Sequence, residues 1–145
     1  MTAPPLLMIA QGRRPRLRRA ASAFRPKEIQ LHMPVADTLR RFCRPSWKWG
    51  HYPAGEHRDV RTAAKLKAMG VQRGWPDIIL FDPDGLLHAL ELKRQGEHLT
   101  EEQEAFAAWC AGHGVPHVVA HTLDQVLTAF NEWGCLTIKI AGGER

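Results

Sequence analysis

The chain has 145 residues and 44% hydrophobic content, which suits one domain with its own core. No run approaches the roughly 18 apolar residues of a membrane helix, and the apolar stretch at residues 4–10 precedes its arginines, the reverse of a signal peptide; a cytoplasmic protein with no membrane partner is expected. A formal net charge of +5 and a pI of about 9.5 favour an acidic partner such as nucleic acid.

Three cysteines, Cys43, Cys110 and Cys135, are widely spaced and form no C-x-x-C pair. That argues against zinc or a disulfide framework and for buried free thiols. Residues 1–24 show no amphipathic period and carry Arg13, Arg14, Arg16, Arg18 and Arg19 around Pro15. They read as a basic, flexible arm ahead of a domain over residues 25–140. The arm is either a phosphate-tracking tail or a solvated leader.

Pro26 can open a helix that carries Glu28, Leu31, Val35, Leu39 and Phe42. Pro34 is expected to kink or break it. Residues 47–52 alternate bulky and polar side chains and read as a first strand. His51 and His57 near the following loop are more commonly ordinary surface residues than phosphate contacts. Asp59 can cap a helix over residues 60–69, with Gly70 as its stop. Arg58, Arg61, Lys65, Lys67 and Arg73 make this region basic. It is either a solvated face or a phosphate contact, and its place just before an acidic hairpin favours DNA.

The hairpin spans residues 74–93, GWPDIILFDPDGLLHALELK. Two apolar runs flank Asp82-Pro83-Asp84-Gly85. Pro83 suits the second position of a type I turn, and Gly85 a left-handed residue after it. The resulting three-residue loop with a glycine bulge sets Asp82 opposite Leu86 and Asp77 opposite Glu91. Asp77, Glu91 and Lys93 then project together. A two-residue turn would pair Asp77 with Leu90 instead. Opposed carboxylates repel, and burial disfavours their charged forms. A hard divalent cation, Mg²⁺ or Mn²⁺, removes that penalty. The alternative is that Asp77 caps a strand end while Glu91 and Lys93 are solvated edge charges.

Thr100 to Gln103 form a capping box that starts a helix running to about Ala111, with Phe106, Trp109 and Cys110 available to the core. Gln103 thereby has a structural explanation of its own. His113, His117 and His121 repeat every four residues, but Gly112, Gly114 and Pro116 forbid one helix and with it a histidine metal site. Residues 115–120 read as a strand, Thr122 opens a helix ending near Gly134, and residues 136–140 read as an edge strand. The order is a mixed α/β domain, with helices covering a central sheet.

Gly74-Trp75-Pro76-Asp77 followed by Glu91-Leu92-Lys93 resembles the active-site hairpin of the PD-(D/E)XK nuclease superfamily. With Glu28 upstream, LKAMGV at residues 66–71 and Gln103 downstream, the ordered set resembles the virus-type replication-repair nuclease family, VRR-NUC, over about residues 28–133. The resemblance implies a restriction-endonuclease-like core, a central mixed β-sheet flanked by helices, and Mg²⁺- or Mn²⁺-dependent cleavage of DNA. It implies that Asp77 and Glu91 hold the metal, with the Leu92 carbonyl as a third oxygen ligand. Glu28 would bind a second metal or orient water, Lys93 would orient or deprotonate the attacking water, and Gln103 would lie beside the site. Stand-alone members are associated with viruses and branched-DNA resolution, often as dimers. This implies a homodimer acting on Holliday junctions or other branched DNA in a bacterial cell or phage-infected host. The family's loop after the first strand often carries an asparagine that residues 53–58 lack, so no role of that residue transfers. The competing reading is a non-catalytic nucleic-acid-binding module on the same fold; the complete set of Asp77, Glu91 and Lys93 argues against it.

Deleting residues 1–19 is expected to weaken DNA binding at low salt and to flatten its salt dependence, because released counterions scale with phosphates contacted. Binding titrations across a salt series test this; an unchanged slope makes the arm a passive leader.

Overall fold

Eight elements follow one another along the chain: α1 (Pro26–Phe42), β1 (Lys48–His51), α2 (Val60–Ala68), β2 (Ile78–Phe81), β3 (Leu87–Leu92), α3 (Glu101–Gly112), β4 (His117–Ala120) and α4 (Leu123–Trp133). The computed structural model describes residues 26–53 and 59–140, with backbone alone over 26–29. The expected N-terminal arm, His57 and Arg58 lie outside the described residues. The helix starts follow their capping signals. Thr100 caps α3 in a complete capping box, Thr122 caps α4, and the carboxylate of Asp59 accepts the Arg61 and Thr62 amides at the start of α2. Gly134, at φ 72°, closes α4 in the left-handed conformation.

The four strands lie in chain order, β1-β2-β3-β4. β1 and β2 are antiparallel, β2 and β3 are antiparallel, and β3 and β4 are parallel. The parallel pair is made possible by α3, which carries the chain back to the end of the sheet where β3 begins. The β2–β3 turn is the predicted one. Phe81 pairs with Leu87, the Asp82 amide donates to the Leu86 carbonyl (3.0 Å), and the Gly85 amide donates to the Asp82 carbonyl (2.9 Å). The Asp82 carboxylate holds the loop from inside, accepting the Asp84 and Leu86 amides at 2.9 and 2.8 Å.

Strand alternation divides the sheet. Ile78, Leu80, Leu90, Leu92 and Ala120 are buried in one cluster with Val35 and Leu39 of α1 and Val126 and Phe130 of α4. Glu91 and Ala89 alternate with Leu90 and Leu92, so they face the other side, where α3 packs. This is a mixed sheet flanked by helices, in agreement with the expected restriction-endonuclease-like α/β core.

Three expectations are corrected. α1 runs unbroken through Pro34. A proline removes one amide donor and crowds one carbonyl, here that of exposed Gln30. The burial of Val35 and Leu39 immediately beyond it holds the helix together. Residues 136–140 form no edge strand; Leu136 makes only an isolated bridge to Cys43. The Asn131 side chain takes the place of a strand partner, donating to the Ile140 carbonyl (2.7 Å) and accepting its amide (3.4 Å). Trp109 is 49% exposed and is not a core residue, although Cys110 beside it is fully buried. All three cysteines are free thiols; burial pushes that of Cys135 up to about 12.

Gly85 has φ +83° and open space where a Cβ would sit, so substitution there probes backbone strain alone. Gly85→Ala is expected to lower stability by about 1–2 kcal/mol in urea denaturation, with the fold retained by circular dichroism.

Candidate active site

Asp77 stands one residue before β2 and is anchored on both sides. Its carbonyl accepts the Tyr52 amide (2.8 Å) and lies 2.7 Å from His51 Nδ1, at the end of β1. Its carboxylate Oδ2 accepts the Leu92 amide of β3 at 2.8 Å. The side chain thus extends the β2–β3 ladder by one bond beyond Ile78–Leu90. Continued by one residue, that register sets Asp77 opposite Glu91, as the bulged turn requires.

Glu91 is 3% exposed, a placement that a carboxylate seldom tolerates without partners. The Lys93 ammonium lies 3.6 Å from its Oε1, and the Gln103 amide nitrogen donates to the same oxygen at 2.5 Å. The Gln103 carbonyl oxygen meanwhile accepts the Thr100 amide at 2.9 Å, as the capping box demands. One side chain therefore serves both proposed roles with different atoms. Capping fixes the carbonyl toward the helix start, and this leaves the NH₂ group to face the acid. The solvated-edge alternative for Glu91 and Lys93 is excluded by burial: the Lys93 side chain is also mostly enclosed.

Sequence reasoning missed His32; His51 is an exposed strand-end residue, the commoner reading expected for it. His32 Nε2 approaches Asp77 Oδ1 at 3.7 Å, and the two imidazoles meet edge to face with centroids 5.1 Å apart. A signal was available, since His32 follows Glu28 by four residues and so shares its helix face. Glu28 lies in the first turn of α1, but its side chain is outside the described residues.

Of the expected phosphate contacts, Arg61, Lys65 and Lys67 are exposed on α2, a helix with no buried residue, and Arg73 is exposed just beyond it. Arg73 is close enough to Glu102 to help hold that carboxyl below the ordinary range, after the larger effects of hydrogen bonds from the Glu102 amide and Thr100. Gly74 binds this segment to α3. Its φ is +81°, and a Cβ there would stand 2.5 Å from the Glu102 carbonyl oxygen. Only glycine permits so close an approach, which brings the start of α3, and with it Gln103, over the hairpin.

The three regularly spaced histidines do not converge. His113 Nδ1 lies 2.7 Å from the Trp109 carbonyl, His121 Nδ1 lies 2.8 Å from the Arg94 carbonyl, and His117 sits in β4 against Phe106. Burial pushes the His117 imidazole below its ordinary value. Among the described residues no group of three or more His, Cys, Asp or Glu side chains could hold a metal. A cation at the hairpin would draw on two carboxylates, Asp77 and Glu91, and complete its shell with a backbone carbonyl and water. That sparse all-oxygen set fits Mg²⁺ or Mn²⁺.

The VRR-NUC domain family matches this chain over residues 34–123. Comparison with curated proteins found no match. Among solved structures, the crystal structure of paFAN1 bound to 1nt 5′flap DNA with gap is 28% identical, with a TM-score of 0.31, over 41% of this chain and 13% of that one. The present chain thus spans a small part of that relative.

Gln103→Glu separates the two roles of this residue. Glutamate still completes a capping box, but it sets a second carboxylate against buried Glu91. A loss of about 1.5–3 kcal/mol in chemical denaturation is expected, the scale of a hydrogen bond to a charged group. Thr100→Ala, which removes the cap alone, is expected to cost about 1 kcal/mol. Unchanged stability in Gln103→Glu would mean that the bond to Glu91 contributes nothing.

Proposed function

The chain belongs to the VRR-NUC domain family, and on that premise we propose that it is a Mg²⁺- or Mn²⁺-dependent DNA endonuclease. The observation that carries the proposal is the convergence of Asp77, buried Glu91 and Lys93 on one end of the β2–β3 hairpin. Asp77 and Glu91 hold the cation, with the Leu92 carbonyl as a third oxygen donor and Glu28 as a further acid from α1. When bound, the cation supplies Lewis-acid polarisation of the phosphoryl oxygen and a more acidic water. Lys93 orients or deprotonates the attacking water, or as an ammonium stabilises the charge that develops on phosphorus-bound oxygen. Gln103 holds the Glu91 carboxylate in place. Arg61, Lys65, Lys67 and Arg73 take the phosphate backbone, together with Arg58; an acidic cleft alone would repel it.

The preferred DNA is branched, a Holliday junction or a related structure, and the active form is a homodimer in a bacterial or phage-infected cytoplasm. These parts rest on the family resemblance. Among the described residues no helix is long and apolar enough to cross a membrane. Cleavage of a matched panel of four-way junction, flap, nicked duplex and single strand, with Mg²⁺ and with chelator, tests the proposal. Metal-independent binding without any cleavage would instead make the chain a DNA-binding module.

Asp77→Ala and Glu91→Ala are expected to abolish cleavage while retaining DNA binding, since each removes a metal ligand and leaves the basic residues intact. Lys93→Met keeps most of the stem and removes the nitrogen. It is expected to lose at least about a hundredfold in single-turnover rate, with DNA affinity little changed. Wild-type turnover in the methionine variant would reduce Lys93 to a partner of Glu91.

A further inference from the structure

Four aromatic rings meet in succession beside the residues that precede the hairpin. Tyr52, just after β1, meets Trp75 with centroids 5.2 Å apart; Trp75 meets Phe106 of α3 at 5.6 Å, and Phe106 meets Trp109 at 6.1 Å. Trp109 also stacks on His113, with centroids 4.4 Å apart, yet these contacts do not enclose the rings. Trp75 is 40% exposed and Trp109 49%, so two of the largest apolar side chains in the protein are open to solvent within this chain of contacts. Exposed apolar surface gathered in this way marks a contact surface. The row is tied to the acids at two points. Trp75 precedes Asp77 by two residues, and Phe106 lies three residues beyond Gln103, on the same helix face. Tyr52 is held in place by its hydroxyl, which accepts the Gln72 amide at 3.0 Å. The segment after Gln72 continues through exposed Arg73 to Gly74.

We propose that the row Tyr52–Trp75–Phe106–Trp109 is a stacking surface for unpaired nucleobases next to the scissile phosphate, so that the favoured DNA carries a single-stranded arm. The inference rests on the nuclease reading and narrows its substrate. Exposed cations on α2 and at Arg73 favour a polyanion over an apolar protein partner. A paired duplex hides its base faces, whereas an unpaired base offers a π-face to any aromatic ring. Glu101, Glu102 and Glu104 in the first turn of α3 disfavour phosphate nearby, which makes an uncharged contact through the rings the better source of affinity on this side.

The test uses the full chain with chelator present, so that cleavage does not enter. Fluorescence anisotropy would compare three labelled probes: a blunt duplex, the same duplex with a short oligothymidine arm, and that duplex with an abasic arm. The wild type is expected to bind the thymidine arm about tenfold more tightly than the abasic arm, the scale of one base–aromatic stack. Trp109→Ala and Trp75→Leu should each remove most of that preference. They should leave blunt-duplex affinity and the salt slope unchanged, because stacking releases no counterions. Trp75 packs between two rings, so its variant is checked by thermal melting; Trp109 is exposed, and its variant stands if Trp75→Leu misfolds. Equal affinity for the two arms, equal losses on all probes, or a dimer dissociated by Trp109→Ala in sedimentation would overturn the proposal, the last by making the row a subunit interface. Arm preference without Mg²⁺-dependent cleavage would sink only the nuclease reading. Cleavage without arm preference would sink only this one.

Discussion

The candidate site depends on a single offset in the β2–β3 hairpin. A turn with two loop residues and a turn with three differ by one position in register, and one position moves a side chain to a new partner. Gly85, at φ +83°, is the residue that absorbs the difference. Because it does, Asp77 comes opposite Glu91, and its carboxylate reaches the Leu92 amide in the middle of the Glu-x-Lys segment. The acid is therefore held by the ladder that it extends. Tyr52 and His51 grip the same residue from the other side through its carbonyl. Small rotations of one strand cannot separate Asp77 from its neighbours without breaking backbone bonds on both flanks.

Glu91 shows what such a site costs. Enclosing a carboxylate carries an effective penalty of several kcal/mol, and Lys93 and Gln103 supply charge and a hydrogen bond that offset part of it. Replacement of the Glu91–Lys93 pair by well-packed apolar residues would suit the fold about as well. Their presence in a face otherwise available to packing suits the proposed site, with stability given up for a group of charges. Gly74 belongs to the same arrangement. It lets α3 approach until the capping glutamine touches Glu91, so a helix terminus becomes a wall of the site.

Much of this was legible in the chain. The eight elements and their order, the helix starts at Asp59, Thr100 and Thr122, and the bulged turn all follow from local chemistry, because caps and turns are decided within three or four residues. Local chemistry does not decide the outcome where distant contacts prevail. Pro34 failed to break α1 because the core beneath Val35 and Leu39 outweighs one lost helical bond. Residues 136–140 have the alternation of a strand, yet Asn131 had already claimed the backbone of Ile140. Trp109 looked like core material, since hydrophobicity does not reveal which side of a helix meets the sheet.

By itself, the sequence determined the alternation that buries Leu90 and Leu92 and turns Glu91 and Lys93 the opposite way, and it determined the register that pairs Asp77 with Glu91. Both are short-range consequences of strand period and turn geometry. The tertiary structure alone decided what meets those residues from elsewhere. His32 of α1 comes to Asp77, the Gln103 amide to Glu91, and Trp75 settles between Tyr52 and Phe106. Each of these contacts joins elements whose relative position is set by packing on the two faces of the sheet, and the packing is a property of the whole core rather than of any local run of residues.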